Sequence, residues 1–232
     1  FLVITINKYK NSWKIIMHST LSNLIEIQKK IQLKMNSLTG LNICPKIIAV
    51  SKTHSMPNIL PLITYGHIDY GENKVQEAID KWTETKSKNK DIKLHLIGPL
   101  QTNKVKFAVK IFDYIHSVDR EKLAIKIADE QIKQDKKIKI FIQINIANEE
   151  QKSGIQKEHV LSFFNFCKKL NLDVVGTMCI PPKEGNSQDY FSEMNKINKK
   201  LNLSDLSMGM SEDYLEAAKN NATFLRIGSK IF

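Results

Sequence analysis

Glycine and proline are scarce in this chain, with 9 Gly and 6 Pro in 232 residues. No Gly/Ser-rich or Pro-rich linker divides it, so one domain is expected. Cysteine is scarcer: Cys44, Cys167 and Cys179 are odd in number and contain no Cys-x-x-Cys pair. That argues against a disulfide framework and fits a reduced, cytoplasmic protein. His54, His67, His95, His116 and His159 show no His/Cys ligand spacing, so no metal is expected. No apolar stretch approaches the length of a membrane span, and no membrane partner is expected. Acidic residues are outnumbered, 24 against 35 Lys and Arg, for a net charge of +11. The lysines are scattered, and aromatic residues do not interleave with them, which argues against nucleic acid.

The chain begins Phe1-Leu2-Val3-Ile4-Thr5-Ile6, without methionine, and then turns basic. Met17-His18-Ser19-Thr20-Leu21 reads as a natural start. Residues 1–16 are therefore expected to be a non-native or poorly packed extension, and residues 17–232 a single domain. Leu21, Leu24, Ile25, Ile31 and Met35 have helical spacing, with Ser19 or Thr20 as a cap.

Beyond that helix the pattern alternates. Apolar, β-branched runs fall at Ile47–Lys52, Ile68–Glu72, Leu94–Leu100, Tyr114–Val118, Ile138–Asn145, Asp173–Ile180, Leu206–Ser211 and Phe224–Ile227. Helix-periodic stretches separate them, at about 59–65, 73–87, 101–111, 120–134, 157–170, 187–202 and 212–220. Such alternation predicts an α/β fold, a (β/α)8 TIM-type barrel with an extra N-terminal helix. An open doubly wound sheet is the alternative, but no Gly-x-Gly-x-x-Gly or Walker lysine pattern is present.

In such a barrel, function sits at the C-terminal ends of the strands. Lys52 closes the first run. Alone it reads as a strand-end lysine turning to solvent; at a barrel mouth it is a candidate amine nucleophile for a carbonyl. Ser211 follows the seventh run and Gly228-Ser229 the eighth. Gly228-Ser229 alone is an ordinary turn. After strand eight it supplies the small side chains and free amides of a phosphate site. A lysine facing a phosphate cup suits pyridoxal 5′-phosphate (PLP), which is held by a Schiff base and a phosphate anchor. Arg226 is placed to face the ring nitrogen and keep it unprotonated, since a fixed cation disfavours a second positive charge.

Several motifs together carry a family resemblance. They are Ala49-Val50-Ser51-Lys52; Gly71-Glu72-Asn73-Lys74-Val75-Gln76-Glu77; His95-Leu96-Ile97-Gly98-Pro99-Leu100-Gln101-Thr102-Asn103-Lys104; Lys152-Ser153-Gly154; Leu206-Ser207-Met208-Gly209-Met210-Ser211; and Arg226-Ile227-Gly228-Ser229. From Met17 onward the chain resembles the pyridoxal phosphate homeostasis proteins, single-domain relatives of the barrel domain of bacterial alanine racemase. The resemblance implies a Schiff base at Lys52 and phosphate contacts from Ser211, Gly228 and Ser229. It also implies Arg226 at the pyridine nitrogen, Asn73 near the ring hydroxyl, and Lys152 near the site. Thr177 departs from the leucine more usual in the family.

The related racemase draws a catalytic tyrosine from an additional β-rich domain, for which this chain has no residues left. The family reading is thus a non-enzymatic carrier that buffers or delivers PLP, with PLP-dependent apo-enzymes as recipients and a monomer or weak dimer as its state. An enzyme would need His95 or His54 as a second base, although a histidine near a strand end is more often simply hydrogen-bonded.

Overall fold

The computed structural model describes residues 5–6, 15–16, 18–37, 44–182 and 185–232. Strands β1 (Thr5–Ile6) and β2 (Ile15–Ile16) pair antiparallel. The rest of the expected 1–16 extension lies outside the described residues.

Helix α1 (Ser19–Asn36) buries Leu21, Leu24, Ile27, Ile31 and Met35, an i, i+3, i+4 stripe. Its cap is neither expected residue. The His18 ring accepts the Thr20 amide at 3.3 Å, and the helix begins at Ser19.

Strands β3 (Lys46–Val50), β4 (Asp69–Glu72), β5 (Lys93–Leu96), β6 (Tyr114–Val118) and β7 (Lys139–Asn145) follow in chain order. The short β8 (Ile155–Gln156) pairs only with β7 and was not expected. Strands β9 (Asp173–Cys179), β10 (Asp205–Ser207) and β11 (Phe224–Ile227) complete the set. All pair in parallel, β6 with β7 and β11 with β3, so that eight strands close into a barrel. Helices α2 (Met56–Tyr65), α3 (Val75–Lys88), α4 (Val105–Ile111), α5 (Glu121–Lys133), α6 (Val160–Lys169), α7 (Ser187–Lys200) and α8 (Tyr214–Lys219) connect the strands. No helix among the described residues is long and apolar enough to cross a membrane.

The pleat sorts each strand into two faces. Ile47 and Ala49 pack with the helices, whereas Ile48 joins Tyr114, Phe141, Met178 and Phe224 inside the barrel. Truncating Phe141 there would cost about 3–5 kcal/mol, the usual figure for a buried aromatic ring.

Four strands end earlier than the apolar runs suggest, β9 by a single residue, at Cys179 and not Ile180. β3 stops at Val50, β5 at Leu96 and β10 at Ser207, not at Lys52, Leu100 and Ser211. Thr53 at φ 64° and Gly209 at φ 85° turn the chain left-handed, and Pro99 has no amide to extend a ladder. The residues released this way form the mouth. Thr177 is explained within the fold: its hydroxyl donates to Asn198 Oδ1 at 2.9 Å, tying β9 to α7.

Candidate functional site at the barrel mouth

The site residues sit on four contiguous strands in the order β4, β3, β11, β10. Lys52 lies in the exposed turn after β3, not at a buried strand end. Its neighbours are held tightly. Ser51 Oγ donates to Glu72 Oε1 at 2.7 Å, and Lys81 Nζ donates to the Ser51 carbonyl at 2.7 Å. On the other side, the Thr53 amide donates to Glu77 Oε1 at 2.6 Å. Lys81 also bridges Glu72 and Glu77 at 3.0 and 2.9 Å, and Trp82 Nε1 donates to Glu72 at 2.9 Å. Both peptide units flanking Lys52 are therefore clamped from α3 and β4.

Burial raises the Glu77 carboxyl, but hydrogen bonds from Lys81 and the Thr53 amide outweigh it and hold the group below its ordinary value. Glu72 is fully buried, and its Oε2 has no partner among the described residues.

Asn73 follows β4. Gly98 packs against it so closely that a Cβ there would lie 2.4 Å from the Asn73 carbonyl oxygen. Gly228 follows β11 beside Val50: an added Cβ would meet Val50 Cβ at 3.3 Å. Ser211 is buried and Ser229 exposed. Lys230 Nζ donates to the Ser211 carbonyl at 2.5 Å, so the loops after β10 and β11 are joined.

Arg226 is only 4% exposed. It donates to Ser207 Oγ at 2.6 Å and to the Cys179 carbonyl at 2.7 Å, spanning β10 to reach β9. No carboxylate forms an ion pair with it among the described residues. Burial holds its guanidinium below the ordinary value. A buried cation with donors and no adjacent anion fits a ligand that brings an acceptor.

His95 is not at the mouth. It is fully buried in the barrel body, with Nε2 3.0 Å from Asp69 Oδ1 and Nδ1 3.0 Å from His116 Nε2. His54 stacks on Phe232, with ring centroids 4.5 Å apart. Lys152 pairs with Glu149 at 2.5 Å in the loop after β7. The sequence reading missed Glu72, Glu77 and Lys81 as supports and Asp69, His116 and Ser207 as partners of the interior. A legible signal existed for one of them: His116, like His95, interrupts an otherwise apolar strand core at an inward-facing position.

Residues 23–232 match the family model described as the alanine racemase N-terminal domain. The chain belongs to the family of pyridoxal phosphate homeostasis proteins. It is 33% identical over 221 residues to the protein of that name from Pasteurella multocida, covering 90% of this chain and 95% of the relative. The Aquifex aeolicus protein of the same name is 36% identical over 199 residues, covering 82% of this chain and 86% of that one. Among solved structures, PipY of Synechococcus elongatus with PLP bound superposes with a TM-score of 0.80 at 28% identity, over 92% of this chain and 99% of that one. Alanine racemase of Clostridium difficile shares the fold, with a TM-score of 0.67 at 14% identity; this match covers 92% of this chain and 56% of that one.

Proposed function

We propose that this chain binds pyridoxal 5′-phosphate through a Schiff base at Lys52 and buffers or delivers it to apo-enzymes in the cytoplasm, without catalytic turnover of its own. Residues 17–232 are the binding unit. One observation carries the reading: an exposed lysine, a glycine turn and a buried arginine converge where β3 meets β11, with Ile227 in register with Ala49. The names of the relatives and the PLP held by PipY support it.

The residues divide the work by chemistry. When bound, the cofactor supplies an aldehyde, a phosphate and a pyridine ring. Lys52 Nζ is the amine within reach of solvent. Ser211, Ser229 and the Gly228 amide are donors for the phosphate, and a side chain at 228 would crowd Val50. Arg226 donates toward the ring nitrogen and, as a fixed cation, opposes its protonation. Asn73, seated on Gly98, addresses the ring hydroxyl. The carrier reading is favoured over an enzyme because His95 spends both ring nitrogens inside the barrel and His54 is stacked on Phe232.

Purified protein mixed with PLP should show the visible band of lysine-bound cofactor. Borohydride reduction and mass spectrometry should place the adduct on the peptide containing Lys52, and Lys52→Ala should lose both. An unchanged band in that variant would remove Lys52 from the site. Loaded protein should exchange the α-deuterium of amino acids no faster than free PLP; faster exchange would sink the carrier reading.

A further inference from the structure

We infer that Asp69, His95, His116 and Ser207 form a one-way hydrogen-bond chain that orients the Arg226 guanidinium from the far end of the barrel, an inference that rests on the cofactor reading of the site above. Arg226 Nη1 donates to Ser207 Oγ at 2.6 Å. Ser207 Oγ lies 2.9 Å from His116 Nδ1. His116 Nε2 lies 3.0 Å from His95 Nδ1, and His95 Nε2 lies 3.0 Å from Asp69 Oδ1. His95, His116 and Ser207 are each 0% exposed, so water does not complete these bonds.

The two ends decide the direction. A guanidinium only donates and an ionised carboxylate only accepts. Ser207 Oγ receives the Arg226 proton, which leaves its own O–H for His116 Nδ1. That nitrogen is then an acceptor, so the His116 ring proton sits on Nε2 and points at His95 Nδ1. His95 in turn keeps its proton on Nε2 and gives it to Asp69. Both rings are neutral, and each nitrogen has a partner.

The reverse arrangement fails. A proton on His95 Nδ1 facing His116 would require either a second proton on His95 or a protonated Asp69. It would also leave the Ser207 O–H without its partner. Burial disfavours the charged form of both rings, in the same direction as the geometry. The rings are also wedged by stacking, His95 on Tyr114 at 4.4 Å and His116 on Phe141 at 4.2 Å between centroids, so neither turns freely.

The chain climbs from Asp69, the first residue of β4, to Arg226, the last but one of β11. Asp69, His95, His116 and Ser207 are positioning residues: none lies at the mouth, and all act through Arg226. The chain fixes which way the Ser207 hydroxyl points, and Ser207 with the Cys179 carbonyl sets the plane of the guanidinium.

Nitrogen-15 NMR of the histidine rings in cofactor-free protein tests the direction. Both His95 and His116 should be neutral with the proton on Nε2; a proton on Nδ1 of either ring, or an imidazolium, overturns the chain. Asp69→Asn replaces a pure acceptor with a group that also donates. It should move the His116 ring signals two links away and weaken PLP binding about tenfold, within the usual range of coupling between linked sites. Ser207→Ala, a small change in the middle, should shift His116 Nδ1 alone and weaken PLP to a similar degree. A purely structural role predicts lower thermal stability with wild-type PLP affinity in the folded variants, and that result overturns the proposal. Wild-type protein with the expected ring protons and no PLP binding would instead overturn the cofactor reading, leaving the geometry of the chain intact.

Discussion

A β-branched residue held at positive φ costs on the order of 1–3 kcal/mol. Thr53 occupies that region at φ 64°, one residue after Lys52. The Glu77 carboxylate on its amide and the Lys81 ammonium on the Ser51 carbonyl offset that cost, so the turn has one geometry. Lys81→Met would remove the cation from Glu72 and Glu77 together and leave Glu72 buried without a charge partner. The expected loss is about 3 kcal/mol in denaturant unfolding, the scale for breaking a buried pair. Trapping of PLP at Lys52 by borohydride should also slow. Glu77→Gln should cost only about 1 kcal/mol, because the amide oxygen still accepts from Thr53. A Lys81→Met protein with unchanged stability and trapping rate would show that the clamp is idle.

Elements are joined at the mouth by contacts with little slack. Gly98, after β5, lets the Asn73 backbone pass at a distance no Cβ allows: 2.4 Å to its carbonyl oxygen and 2.8 Å to its Cα. Gly98→Ala should therefore displace the β4–α3 connection and cost about 1–3 kcal/mol, as overpacking does. Chemical denaturation measures the loss, and weaker PLP binding should accompany it. A variant with wild-type stability would mean that the connection yields freely. The eight barrel strands were legible in the sequence, because each is a compact apolar run between polar punctuation. Tyr114–Val118 and Phe224–Ile227 match the observed strands residue for residue. Their ends were less legible: the apolar character of Ile97, Leu100, Met208 and Met210 continues past the point where Pro99 and Gly209 stop the ladder. How the supports of the site pair was not legible. His116 and Ser207 are 91 residues apart, and only barrel closure brings them together.

For the whole molecule, the buried rings make stability depend on pH. Burial lowers His67, His95 and His116 from the ordinary 6.5, against weaker opposing hydrogen bonds to the Asp69 region for the first two. Unfolding frees these rings to take up protons that the folded protein refuses. Their depressed values mean that stability is full above pH 6.5 and is lost as pH falls below it. Thermal denaturation should show a plateau near neutrality and a fall below 6.5 that is steeper than carboxylates alone produce. A flat profile down to the carboxylate range would contradict the assignment of neutral rings.

Closure has one more consequence. The pairing of Ile227 with Ala49 makes neighbours of the first and last strands of the barrel. Lys52 precedes Gly228 by most of the barrel, so a growing chain carries the lysine long before it carries the turn opposite. No half-barrel holds both. Long-range closure of this kind is slow to form, and the site exists only when it is complete. Occupancy of the mouth would therefore act as a proofreading mark, distinguishing closed barrels from open ones.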